Sequence, residues 1–264
     1  MRMLTLPDFI KKKKAGEKIA MVTCYDATSA LILDATSVDC LLVGDSLGMT
    51  MQGFSSTVPV TMEMMTLATA AVARGSKTKF IIGDLPFASY RKSLSESVAA
   101  AAALMQAGAH AVKLEGATGN ADTVKHLVQS GIPVMGHIGL TPQFVHQLGG
   151  YRVQGKTDES AKRLMIEAQT LEAAGCFALV LECVPAPVAR TITENLSIAT
   201  IGIGAGKDTD GQVLVFQDLL GLNTAFKPKF VKHFINGAEI FSAAIEDYAD
   251  QVRTQEFPGD ENSF

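Results

Sequence analysis

Along this chain the apolar positions come in short, nearly unbroken runs, and the stretches between them carry apolar residues at helical spacing. The runs are IAMVTCYD (19–26), CLLVGDS (40–46), FIIGDLP (80–86), AVKLEG (111–116), VMGHIGL (134–140), ALVLECV (178–184), ATIGIGAG (199–206) and a weaker QVLVFQD (212–218). Runs of this kind suit strands buried on both faces of a parallel sheet. Helical patterns fall between them at 28–37, 61–74, 94–107, 120–130, 158–174 and 186–195. Strands alternating with helices predict βαβ units, and eight of them predict a closed (β/α)8 TIM-type barrel rather than an open sheet. A short helix opened by Pro7 and closed by Gly16 precedes the barrel, and the tail from 228 onward reads as a helical extension with an irregular end. Barrels of about 250 residues are single domains, so residues 1–264 are expected to form one. Two connections are long, LGMTMQGFSSTVPV after the second strand and TPQFVHQLGGYRVQGKT after the fifth, and both leave C-terminal strand ends.

The charged positions inside the runs are not scattered. Asp45 and Ser46 end the second strand, Asp84 the third, Lys113 and Glu115 the fourth; His137 is late in the fifth and Glu182 ends the sixth. Lys113 and Glu115 are two apart, so on a strand they share a face. A buried ion pair explains that arrangement without function, but such pairs stabilise poorly. Catalytic groups of a barrel sit at C-terminal strand ends, and five consecutive strands delivering such groups favour a site. Asp45, Asp84 and Glu115 would repel one another without a cation. Oxygen donors with no cluster of His or Cys favour Mg²⁺ over zinc, with one or two carboxylates binding directly and another through water. Lys113 suits a substrate carboxylate or a developing oxyanion, and Glu182 is left to act as a base. This set suits proton abstraction next to a carbonyl. His137 is open between a hydrogen-bonded strand histidine and a member of the site.

Composition narrows the classes further. The formal charge is -4 and no basic stripe carries interleaved aromatics, which argues against a nucleic-acid partner. Lys11 to Lys14 read as a solvated helix face complementing the helix dipole. No run reaches the length of a membrane span, and MRMLTLPDFIKKKK lacks the apolar core of a secretory leader, so a cytoplasmic protein is expected. The four cysteines, 24, 40, 176 and 183, form no CxxC pair and read as buried free thiols. Cys183 beside Glu182 has no His neighbour in sequence to activate it. IGIGAG is GxGxG rather than GxGxxG, and close backbone approach explains it better than phosphate binding. Met62, Met64 and Met65 read as helix packing.

The motifs LLVGDSLGM (41–49), GDLPF (83–87), VKLEG (112–116), GHIGLTPQ (136–143), YRVQG (151–155), LVLECVP (179–185) and IGIGAG (201–206) together resemble, in order and over nearly the whole chain, the ketopantoate hydroxymethyltransferase family. That resemblance implies a barrel of the phosphoenolpyruvate/pyruvate superfamily. It implies transfer of a hydroxymethyl group from 5,10-methylenetetrahydrofolate to 3-methyl-2-oxobutanoate in pantothenate and coenzyme A biosynthesis, with Mg²⁺ and through a metal-stabilised enolate. It implies a homodecamer. By motif match it implies Asp45 and Asp84 as metal ligands and substrate contacts, with Glu115 the third metal-associated carboxylate. Ser46 and Lys113 become substrate contacts and Glu182 the proton acceptor, and His137 lies near substrate. Gln217 and Asn262 stand where many members carry histidine, away from this set. A carbon–carbon lyase of the same superfamily, a Schiff-base role for Lys113 and an idle oxo-acid-binding protein are the rivals.

Overall fold

The computed structural model describes residues 2–224 and 227–264. The chain divides after Val215 into two compact units. The first contains a closed barrel of eight parallel strands in sequence order: β1 (Ile19–Thr23), β2 (Cys40–Val43), β3 (Phe80–Asp84), β4 (Ala111–Lys113), β5 (Val134–Gly139), β6 (Ala178–Glu182), β7 (Ala199–Ile203) and β8 (Gly211–Leu214), with β8 closing onto β1. Its helices are α1 (Leu6–Ala15), α2 (Ala27–Asp34), α3 (Leu47–Thr50), α4 (Met62–Gly75), α5 (Leu94–Gln106), α6 (Ala121–Gln129), α7 (Val145–Leu148), α8 (Asp158–Ala174) and α9 (Ala186–Asn195). The second unit holds α10 (Phe216–Leu219) and α11 (Gly237–Thr254). Among the described residues no helix is long and apolar enough to cross a membrane.

The helices begin where the sequence supplies caps. Thr61, Ser93 and Thr157 each accept the N–H three residues on, at the starts of α4, α5 and α8. Every strand residue of β2, β3 and β4 is buried, as a sheet covered on both faces requires. The barrel interior is filled by alternate residues: Ile19 and Met21, Cys40 and Leu42, Phe80 and Ile82, Ala111, Met135, Ala178 and Val180, Ala199 and Ile201, and Val213.

The lower end is closed by α1. Phe9 is fully buried, with its ring edge-on to Phe80 and Phe177 at centroid distances of 5.4 and 5.1 Å. Here the solvated reading of the lysine run is corrected for two of its members. Lys13 Nζ donates to Asp210 Oδ2 at 2.8 Å and to the Thr193 carbonyl at 2.7 Å, and Lys12 Nζ lies 3.2 Å from Asp39 Oδ1. They bolt the plug to the N-terminal rim. Lys11 remains at the surface.

Candidate active site

The same alternation that fills the barrel carries the charged groups to its mouth. Phe80, Ile82 and Asp84 are two apart on β3; Ala111 and Lys113 on β4 run on to Glu115; Met135 precedes His137 on β5; Ala178 and Val180 precede Glu182 on β6. Lys113 and Glu115 share a face because the interior face of β4 turns from apolar to charged at its upper end. Strand register places Asp84 beside Lys113 and Gly139 beside Glu182. Gly139 has φ +95°, and a Cβ there would collide with the Glu182 carbonyl oxygen. A side chain at Gly139 would thus displace the strand that carries Glu182.

The expected residues converge. Lys113 Nζ donates to Asp84 Oδ1 at 2.6 Å and lies 3.8 Å from Glu115 Oε1. His137 stands between two carboxylates, its Nδ1 3.4 Å from Glu115 Oε1 and its Nε2 3.3 Å from Glu182 Oε2. These are ionic contacts without the alignment of hydrogen bonds. The Asp45 N–H donates to Asp84 Oδ2 at 3.2 Å. Ser46, half-buried, shares a 2.8 Å hydrogen bond with the Tyr25 hydroxyl. A Cβ on Gly44 would stand 2.8 Å from Ser46 Oγ and 3.8 Å from Asp84 Oδ2, so Gly44 lets these two side chains face one space.

Electrostatics follow from burial and crowding. Burial, then Asp84 and Glu115, push the Asp45 carboxyl well above the usual carboxylate range. Asp84 is also raised, by burial first, with Lys113 opposing. Burial acts against the Lys113 ammonium, but Asp84, Glu115 and Asp45 outweigh it and hold the lysine charged. Burial likewise opposes ionised Glu115, yet His137 and Lys113 keep it below its ordinary value. Burial and Lys113 oppose the His137 imidazolium, and the two glutamates overcome them, bringing its pKa up to about 9. His137 is therefore a cation at neutral pH within the charged set, which the sequence left open.

A hard divalent cation fits this donor set. Asp45 and Asp84 are adjacent and buried, and burial first, with neighbouring carboxylates behind it, holds both above the usual carboxylate range, a penalty that a bound cation relieves. Glu115 is turned to His137 and Lys113 through Oε1 and accepts the Gln143 N–H on Oε2 at 3.0 Å, so both of its oxygens are already engaged. Among the described residues no three His, Cys, Asp or Glu side chains close on one point. A cation here would complete its shell with water and substrate, as Mg²⁺ does.

Sequence reading passed over Gln143, Tyr90 and Tyr25, all buried against the charged set. Gln143 lies inside the quoted GHIGLTPQ, and that membership was the available signal. The two long loops meet over the mouth, where the Tyr151 hydroxyl lies 3.6 Å from Met49 Sδ. IGIGAG does serve close approach: a Cβ on Gly202 would stand 2.6 Å from Thr209 Oγ1, and one on Gly206 2.5 Å from Ala186 Cβ. Burial and Glu182 push the Cys183 thiol up to about 12, away from the thiolate a nucleophile needs. Met65 is fully buried in α4. Gln217 lies in α10, in the second unit, and Asn262 in a short 3-10 turn.

Solved structures similar to this chain include 2,3-dimethylmalate lyase, a PEP mutase/isocitrate lyase superfamily member. It has a TM-score of 0.60 and 14% identity, covering 99% of this chain and 93% of that one. A phosphonopyruvate hydrolase crystallised with oxalate and Mg²⁺ gives 0.63 at 10% identity, covering 98% and 93%. These share the barrel fold. The sequence relatives are much nearer. The 3-methyl-2-oxobutanoate hydroxymethyltransferase of Francisella tularensis subsp. tularensis is 56% identical over 254 residues, 96% of each chain. That of Coxiella burnetii is 54% identical over 259 residues, covering 98% of this chain and 97% of its own. The family model for ketopantoate hydroxymethyltransferase matches residues 3–260. With the strand-end set in place and the match spanning the barrel, this chain belongs to the ketopantoate hydroxymethyltransferase family of transferases.

Proposed function

We propose that this enzyme transfers a hydroxymethyl group from 5,10-methylenetetrahydrofolate to 3-methyl-2-oxobutanoate, giving 2-dehydropantoate for pantothenate and coenzyme A synthesis. The observation that carries the reading is the convergence of Asp45, Asp84, Lys113, Glu115, His137 and Glu182 at five consecutive strand ends in a chain of this family. Asp45 and Asp84 would hold Mg²⁺, while both oxygens of Glu115 are already engaged. When bound, the cation supplies Lewis-acid polarisation of the substrate carbonyl and so acidifies the neighbouring C3–H.

The chain's own groups do the rest. Lys113, held charged by three carboxylates, binds the substrate carboxylate, and Ser46 donates to a substrate oxygen. Glu182 takes the C3 proton. His137, charged and in ionic contact with Glu182, orients that carboxylate toward the substrate. The carbanion then attacks the methylene carbon of the folate as one of its two C–N bonds breaks, the released nitrogen taking the proton from Glu182. Water replaces the second nitrogen, which takes the water's other proton, giving the hydroxymethyl product and tetrahydrofolate. An imine-forming lysine needs its charge suppressed, and the surroundings of Lys113 do the opposite. The exposed side chains of Met49, Phe87 and Tyr151 around the mouth suit a flat pterin. We place the enzyme in the cytoplasm as a homodecamer. Exposed Phe241, Ile245 and Tyr248 on α11 are apolar surface of the kind an assembly covers.

The deciding experiment supplies purified protein with 3-methyl-2-oxobutanoate, methylenetetrahydrofolate and Mg²⁺ and follows ketopantoate. Formation that stops with EDTA and returns with Mg²⁺ is expected. No ketopantoate under these conditions, or full activity in EDTA, would sink the proposal.

A further inference from the structure

Gln143, in the 3-10 turn Pro142–Phe144 that follows β5, has a side chain that no step above uses. It is 1% exposed. Its Nε2 donates to Asp45 Oδ2 at 2.8 Å and to the Leu85 carbonyl at 2.9 Å, and its Oε1 accepts from the Tyr90 hydroxyl at 2.7 Å. Its backbone N–H donates to Glu115 Oε2 at 3.0 Å. Tyr90, fully buried, accepts the Glu115 N–H at 3.2 Å.

The amide can take only one orientation. Nε2 faces two acceptors and Oε1 faces a hydroxyl; the flipped amide would set Oε1 against a carboxyl oxygen and a carbonyl and leave an N–H donor without a partner. Tyr90 favours the same choice: its hydroxyl accepts the Glu115 N–H, and of the two acceptors within reach of its proton, Gln143 Oε1 at 2.7 Å is nearer than the Glu115 carbonyl at 3.3 Å. One side chain and its backbone thus tie the ends of β2, β3 and β4 together at the two carboxylates Asp45 and Glu115. A buried amide that served packing alone has no need to bridge three strand ends at charged groups. By holding Asp45 at Oδ2, Gln143 leaves Oδ1 as the oxygen for other partners.

We propose that Gln143 is a positioning residue that fixes which oxygen of Asp45 is presented to the cation and the oxo acid, with Tyr90 setting the Gln143 amide for that task. This rests on the reading of Asp45 as a cation ligand. The test is calorimetric titration of Mg²⁺ alone into full-length wild type, Gln143→Met and Tyr90→Phe, with melting temperatures and KM for 3-methyl-2-oxobutanoate measured alongside. Gln143→Met keeps length and volume but loses a hydrogen bond to a charged group, so its Mg²⁺ Kd should rise about tenfold. Tyr90→Phe removes one neutral hydrogen bond and should raise it about threefold. KM should rise with Kd in both. Lowered melting temperatures with unchanged Mg²⁺ Kd and KM would reduce the pair to a structural role and overturn the inference. Should Gln143→Met fail to fold, Tyr90→Phe decides alone. Wild type that binds no Mg²⁺ would overturn the reading of the site, and the inference with it.

Discussion

At the scale of single residues, the site is a small group of charges whose states are set by one another. Glu182→Gln keeps the shape and removes the carboxylate proposed as the base. Substrate should still bind, while exchange of the C3 proton with solvent deuterium should fall about 10²- to 10⁴-fold, followed by NMR of the oxo acid. Undiminished exchange would shift the base role to another group. His137 titrates near 9 in the folded chain against 6.5 for an ordinary histidine. A raised histidine stabilises the fold while it is charged. Its contribution is complete below about pH 6.5 and disappears as pH rises through about 9. The melting temperature of metal-free wild type should therefore exceed that of His137→Gln at pH 6, and the gap should close by pH 10. A gap that widened with pH would contradict the ionic role.

Elements were the most legible part of the chain. All eight strand runs hold a strand, and the six helical patterns between them hold α2, α4, α5, α6, α8 and α9. Apolar runs and capping residues are local signals, so they survive without tertiary information. The strand-end charges were legible because period two is fixed by the backbone. Their lower ends were not: Lys12 and Lys13 looked like solvent-facing lysines because their partners Asp39 and Asp210 lie far along the chain. Gln143 and Tyr90 were missed for a related reason. They sit in irregular connections where no periodicity points inward, and an amide and a phenol announce no chemistry until their partners are known. The β5–β6 junction gives a prediction at this scale. Cys183 sits at φ +48°, beside Glu182, and Gly139 at φ +95° packs on the Glu182 carbonyl. Gly139→Ala should destabilise by at least about 1–3 kcal/mol and lower activity, because the collision moves the strand end bearing Glu182. Cys183→Gly should be near neutral in urea unfolding, since relieved backbone strain is offset by a freer unfolded chain. A silent Gly139→Ala would refute this account of the junction.

For the barrel as a whole, packing and chemistry are assigned to opposite ends. The lower end is aromatic and apolar around Phe9, and the upper end carries the charges. Phe9→Ala should cost about 3–5 kcal/mol of stability, seen as a lowered melting temperature. KM and the proposed response of the folded enzyme to Mg²⁺ should stay unchanged. A shift in KM would show that the plug communicates with the mouth.

The mouth itself dictates a sequence of events. Asp45, Asp84, Glu115 and Glu182 bring four acidic side chains together, against Lys113 and His137 as cations. Were all four ionised, four against two would leave an excess of negative charge; in the bare pocket burial and crowding push Asp45 and Asp84 toward holding protons, so Lys113 and His137 are already matched by Glu115 and Glu182. An anionic oxo acid approaching the bare pocket meets no unmatched positive charge; approaching after a divalent cation has displaced those protons, it would meet open coordination positions. Binding should therefore follow a compulsory order, metal first and anion second. In calorimetry without divalent ions, 3-methyl-2-oxobutanoate should give no heat of binding. In initial-rate kinetics, raising Mg²⁺ should lower the apparent KM of the oxo acid, and saturating oxo acid should not substitute for the metal. Tight binding of the oxo acid to EDTA-treated enzyme would mean that Lys113 and His137 suffice to hold it and that the order is free.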